Sequence, residues 1–190
     1  SDRDFYARVP RRGARSPAWV PSHPIRGMLG AMAIDKASLR DALADALASE
    51  LDTLMAAQQL TTEGVTHADA KQEGSKDTRA IEASYLARGQ AARVASLSRD
   101  LAGVRAMPLR EFSESDRVAL SALVTVLNEE QQRLLFIAPA GGGARLELAG
   151  QSVDVVTPKS PLGRILVGAE VGDIVTWDAK DQDFDILELA

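Results

Sequence analysis

The distribution of apolar and polar positions divides the chain into three stretches, the first of which, residues 1–31, carries no apolar period at all. From Asp35 onward Leu39, Leu43, Leu47, Leu51 and Leu54 recur at spacings of four, four, four and three, with no Pro or Gly until Gly64. This spacing predicts an amphipathic helix ending near Glu63 and spanning roughly 43 Å at 1.5 Å per residue. A second helix is expected from about Asp77 to Met107, with Val94, Leu97, Leu101 and Val104 as its seam, continued toward its start by Leu86 and Ile81. Pro108 stops it. The connection between them, Gly64 to Lys76, is short and polar, so the two helices are expected to return antiparallel as a coiled-coil hairpin.

After Pro108 the period becomes two. Leu123–Leu127, Leu134–Ala138, Ala144–Leu148, Ser152–Thr157, Ile174–Asp178 and Phe184–Leu189 read as short strands separated by turn residues. Between them, Ser160 can cap a short helix with Pro161 in its first turn and Gly168 after its end. The predicted class is α+β: an arm over 1–34, a helical hairpin over 35–107 with its tip at about 64–77, and a compact domain over 108–190.

Charge sharpens this division. The net charge of −5 resolves into +4 over residues 1–31, −2 over 32–107 and −7 over 108–190. An acidic body argues against autonomous duplex binding, because affinity for phosphates grows with the cations a protein supplies. The first stretch holds half of the eight prolines together with Arg8, Arg11, Arg12, Arg15 and Arg26. It is expected to form an extended or disordered tail, either a basic arm that touches nucleic acid or, if natural translation starts at Met28 or Met32, an incidental extension.

Composition excludes several kinds of chemistry. Without Cys the chain has no disulfide framework, thiolate metal site or cysteine nucleophile, which fits a reducing, cytoplasmic setting. Its two histidines, His23 and His67, are too few and too far apart for a histidine-built metal site. The uncharged run Leu134–Ala144 has only 11 residues, including Pro139 and three glycines, whereas a membrane span needs about 20. Gly141-Gly142-Gly143 lacks the Lys and Ser or Thr of a phosphate loop and reads as a flexible hairpin turn.

The hairpin tip is chemically distinct. From His67 to Arg79 it carries Asp69, Glu73 and Asp77 among Lys71, Lys76 and Arg79, a set that in isolation describes an ordinary solvated turn. Ser75 or Asp77 can cap the second helix. Gly89, within that helix, either permits close helix approach or a bend, or lies where Tyr85 and Arg88 face a partner.

Three blocks, VTVLN (124–128), SVDVVTPKSPLGRILVGAEVGDIV (152–175) and FDIL (184–187), resemble the C-terminal domain of the GreA/GreB transcription elongation factors. Ser160, Pro161, Gly163, Arg164, Gly168, Gly172 and Asp173 carry the most specific part of the likeness, which extends over residues 35–190. The resemblance implies an FKBP-like fold for the C-terminal domain and docking on RNA polymerase, near Ser160 to Arg164 and the turn ending at Asp173. It also implies that the hairpin enters the secondary channel of a bacterial polymerase and lends tip carboxylates to a Mg²⁺ held by the polymerase, promoting cleavage of backtracked RNA. On that reading the protein is a cytoplasmic monomer with no active site, cofactor or membrane contact of its own, and meets RNA and DNA only indirectly, within the elongation complex. A two-metal centre has use for an added carboxylate, since one ion generates the nucleophile and both stabilise developing charge.

The tip departs from the family pattern. Counting back without gaps from Ala92–Leu97 puts Glu73 at the first acid position and Lys76 at the second, with Asp69 and Asp77 as the available substitutes. A lysine beside a metal opposes its charge. Two rival expectations follow: a channel-binding regulator without cleavage, favoured by Lys76, and a peptidyl-prolyl isomerase or chaperone, disfavoured because the domain offers only Phe112, Phe136, Trp177 and Phe184 to line a pocket.

Overall fold

A computed structural model describes residues 34–68, 76–129, 131–177 and 181–190, with side chains described outside 60–68 and 76–84. The chain is mixed α+β: two long helices precede a six-stranded sheet that carries one short helix. Its described residues divide into two compact units, one within 40–107 and one combining 34–39 with residues of 108–190.

In the helical unit, α1 (Lys36–Ala68) and α2 (Lys76–Arg105) have 33 and 30 residues. At 1.5 Å per residue they run about 50 and 45 Å. Asp35 caps α1, its carboxylate accepting from the Ala37 and Ser38 backbone N–H at 3.2 and 3.0 Å and from the Ser38 hydroxyl. The first helix continues past the expected end at Glu63 and through Gly64, because a single helical glycine costs only about 1 kcal/mol relative to alanine. The second begins at Lys76, so Asp77 lies inside its first turn rather than at its cap.

Burial follows the leucine seam over one part of each helix. Leu43, Leu47, Leu97, Leu101 and Val104 are buried, Leu51, Leu54 and Val94 are half-buried, and Arg93 pairs with Glu50 at 3.3 Å. Leu86 does not continue the seam, being 57% exposed. Residues 85–89 are all exposed, so burial along the stripe ends near Gln90. The close approach suggested for Gly89 is also absent, since a Cβ there would meet nothing within 4 Å.

The strands are β1 (Leu123–Asn128), β2 (Gln131–Ile137), β3 (Arg145–Leu148), β4 (Gln151–Val156), β5 (Ile174–Trp177) and β6 (Gln182–Leu189); α3 (Pro161–Leu166) lies between β4 and β5. Their order across the sheet is β3-β4-β2-β1-β6-β5. All pairs are antiparallel except β2 with β4, which runs parallel. This corrects the reading of Gly141–Gly143 as a hairpin turn. The segment instead carries the chain from β2 past β4 to β3, with Gly141 and Gly143 at φ 76° and 90°, conformations that L side chains resist. A hairpin instead joins β3 to β4 through Ala149 and Gly150, both at positive φ as the right-handed strand twist favours.

One sheet face builds the core. Val124, Val126, Leu135, Ile137, Val156, Val175, Phe184 and Ile186 pack with Val118, Ala122, Leu166 and Ala169. On the opposite face Leu146, Val153, Val155 and Phe136 are also buried, whereas Ile174 on β5 is 60% exposed. Lys36, in the first turn of α1, is tied to the irregular segment that follows α2. Its ammonium donates to the Arg110 carbonyl and lies 5.2 Å over the Phe112 ring, so a nearly buried cation is satisfied by a carbonyl and a π face.

Candidate functional site

The tip acids and the surface around α3 are the two places to which the sequence points. Of the tip residues, Asp69 and Glu73 lie outside the described residues, as does the side chain of Asp77. Among the described residues no group of three or more His, Cys, Asp or Glu could hold a metal ion, and no helix is long and apolar enough to cross a membrane.

The α3 region is described in full, and most of the predicted docking residues have internal partners. The Ser160 Oγ accepts from the Gly163 N–H at 3.0 Å and donates to the Thr157 carbonyl at 2.8 Å, so this hydroxyl starts the helix and closes the preceding turn together. Pro161 occupies the first helical turn, where its missing N–H removes nothing from the ladder. Gly163 is required by packing: a Cβ there would lie 1.9 Å from the Thr157 carbonyl oxygen. The Asp173 carboxylate accepts from the Glu170 N–H at 2.9 Å. Reciprocal bonds from Gly172 N–H to the Ile186 carbonyl and from Ile186 N–H to the Asp173 carbonyl fasten that turn to β6. Ser160, Gly163 and Asp173 therefore build the surface, and Pro161 and Arg164 are exposed on it, with Val167 40% exposed nearby.

Electrostatics separates two half-buried carboxylates. Asp154 sits between Arg145 Nε at 2.7 Å and Arg133 Nη2 at 2.5 Å. Burial pushes its pKa up, but hydrogen bonds from the two guanidinium groups outweigh this and leave it below the ordinary carboxylate value. Asp185 on β6 has no such support. Burial alone pushes its pKa above the ordinary value, and among the described residues nothing donates to its carboxylate.

Asp185 is set in an apolar row. The sheet register places it directly between Leu127 of β1 and Ile174 of β5. A bulge between Thr125 and Val126 of β1 and the facing part of β6 leaves Leu187 39% exposed two residues further on. Period two predicts Ile174 and Leu187 in strands and gives neither a role. Alternation predicts that residues 185 and 187 share a face, and only the register brings Ile174 and Leu127 to either side of Asp185.

The aromatic residues weighed as the lining of an isomerase pocket have partners of their own. Phe136 and Phe184 are fully buried, Trp177 stacks at 6.5 Å from Phe184, and Phe112 is covered by Lys36 and Arg110.

The fold and site thus define an α+β protein with a long helix pair and a small sheet unit. No family model matches the chain, and no curated protein is similar to it. Among solved structures it is similar to GreA factor homolog 1 (Gfh1) of Thermus thermophilus, at 21% identity over 77% of this chain and 94% of that one, with a TM-score of 0.32. It is also similar to Gfh1 of Thermus aquaticus, at 19% identity over 78% and 94% of the two chains, with a TM-score of 0.33. A further structure of the transcription factor Gfh1 matches at 20% identity and the same TM-score, 0.33.

Proposed function

We propose that the protein is a Gre-like transcription elongation factor that binds RNA polymerase at its secondary channel and regulates elongation. The observation that carries this reading is the joining of a 33-residue and a 30-residue helix, through an acid-containing connection, to a small sheet unit bearing the Ser160–Asp173 block. A helix pair about 45–50 Å long without an apolar belt is too long to serve only its own core, and suits reaching into a partner. The sheet unit, which we read as FKBP-like, offers Pro161 and Arg164 for docking, and the chain supplies no catalytic centre of its own.

On this reading Glu73, with Asp69 and Asp77, assists a Mg²⁺ held by the polymerase and stimulates cleavage of RNA in backtracked complexes. A second reading, occupation of the channel without cleavage, is favoured by Lys76, whose charge opposes a nearby cation. A transcript-cleavage assay on backtracked polymerase, comparing the wild type with Glu73→Ala and Asp77→Ala, decides between them. Mg²⁺-dependent RNA shortening that is lost in Glu73→Ala supports the cleavage factor. Binding with inhibition, or without shortening, supports the regulator, and absence of binding overturns both.

A further inference from the structure

The sheet face opposite α3 carries an unusual combination across β1, β6 and β5. Ile174, at 60%, and Leu187, at 39%, are among the most exposed large apolar side chains of the sheet unit. Between Ile174 and Leu127 stands Asp185, a half-buried carboxylate with no cation or N–H donor among the described residues. Strands β1, β5 and β6 contain no Lys or Arg, while β6 adds Asp183 and Glu188, both exposed. By contrast Asp154, on the other face of the same sheet, is held by two arginines.

An isolated carboxylate in apolar surroundings opposes folding of the free protein, because burial disfavours its charged form without compensation. A cationic side chain from outside reverses the sign. The alkyl stem of a Lys or Arg can lie on Ile174 and Leu187 while its head group reaches Asp185, so the same side chain covers the apolar surface and pairs the charge. Neighbouring Asp183 and Glu188 extend the negative field and favour a basic over an acidic approach.

We propose that the Leu127–Asp185–Ile174 row, with Leu187, is a docking surface for an RNA polymerase segment that presents a Lys or Arg beside an aliphatic side chain. The assignment rests on the polymerase-binding reading above and adds an anchor distinct from Pro161 and Arg164. It gives an unsupported carboxylate among exposed aliphatics a partner.

The test is titration of the full chain onto bacterial core RNA polymerase at low and high salt, with thermal unfolding of each variant alongside. Asp185→Asn keeps the side-chain shape and removes the charge. It is expected to weaken binding about tenfold and to flatten the salt dependence, while leaving the free protein at least as stable as the wild type. Ile174→Glu is expected to weaken binding by at least as much, and Glu114→Lys, on the loop before β1, by less than about twofold. A fall in affinity with unreduced stability is an outcome that a merely structural role would not produce. Wild-type affinity in both Asp185→Asn and Ile174→Glu overturns the docking surface and leaves the polymerase reading standing. Failure of the wild-type chain to bind polymerase overturns both.

Discussion

The helical unit and the sheet unit solve the problem of burial in opposite ways. The sheet unit closes a core around Phe184, Leu135 and Ile137, all fully buried, and pins its turns to its strands through backbone bonds. The helical unit buries Leu43, Leu47, Leu97, Leu101 and Val104 along one part of its length and leaves Met55, Tyr85 and Leu86 47%, 69% and 57% exposed. Stability is therefore concentrated in the sheet unit and at one end of the helix pair. The exposed stretch is held by local helix propensity and scattered pairs such as Glu50–Arg93, whose side chains are both at least half exposed and which contributes at most about 1 kcal/mol.

The largest test of this contrast is truncation of each core. Phe184→Ala should destabilise the sheet unit by about 3–5 kcal/mol, and Leu101→Ala the helical unit by about 2 kcal/mol. Denaturant unfolding in a Trp19→Phe background, followed by Trp177 fluorescence and by far-ultraviolet circular dichroism, reads the two units separately, and equal losses would contradict the contrast. Next comes Gly163→Ala, expected to destabilise by about 3 kcal/mol, because the new Cβ meets the backbone oxygen of Thr157 rather than a side chain that can turn away. An unchanged Trp177 transition would refute that close approach.

In the exposed part of the helix pair the sign reverses. Gly89→Ala should stabilise by about 1 kcal/mol, since the position is helical and open. Leu86→Ala should change stability by less than about 0.5 kcal/mol. Loss of stability in either variant would indicate packing along that face.

The smallest effect is expected from the two carboxylates, and here direction matters. Asp185 has a raised folded-state pKa, so the stability linked to its protonated form is present below the ordinary carboxylate value and is lost as pH rises through the raised value. Asp185→Asn should therefore raise the thermal midpoint at pH 7 and leave it unchanged near pH 3. Asp154 has a lowered pKa, so it contributes stability above the ordinary value that is lost as pH falls through the lowered one. Asp154→Asn should lower the midpoint at pH 7. Shifts of the same sign in the two variants at pH 7 would contradict the charge environments.

The helices, the six strands and the cap at Ser160 were legible because each rests on local chemistry: a leucine every third or fourth residue, alternation on a pleated strand, a hydroxyl before proline. Other features depended on which segments become neighbours. Period two names the face of a residue but not its adjacent strand, so the parallel pairing of β2 with β4 turned the Gly141–Gly143 segment from a hairpin into a crossover. The requirement for Gly163 comes from a backbone oxygen six residues earlier, and the isolation of Asp185 from Leu127 and Ile174 on two flanking strands. Local periodicity thus determined the elements, while only tertiary structure decided which carboxylate is supported and which is left facing outward, because charge support depends on distances that the order of residues does not contain.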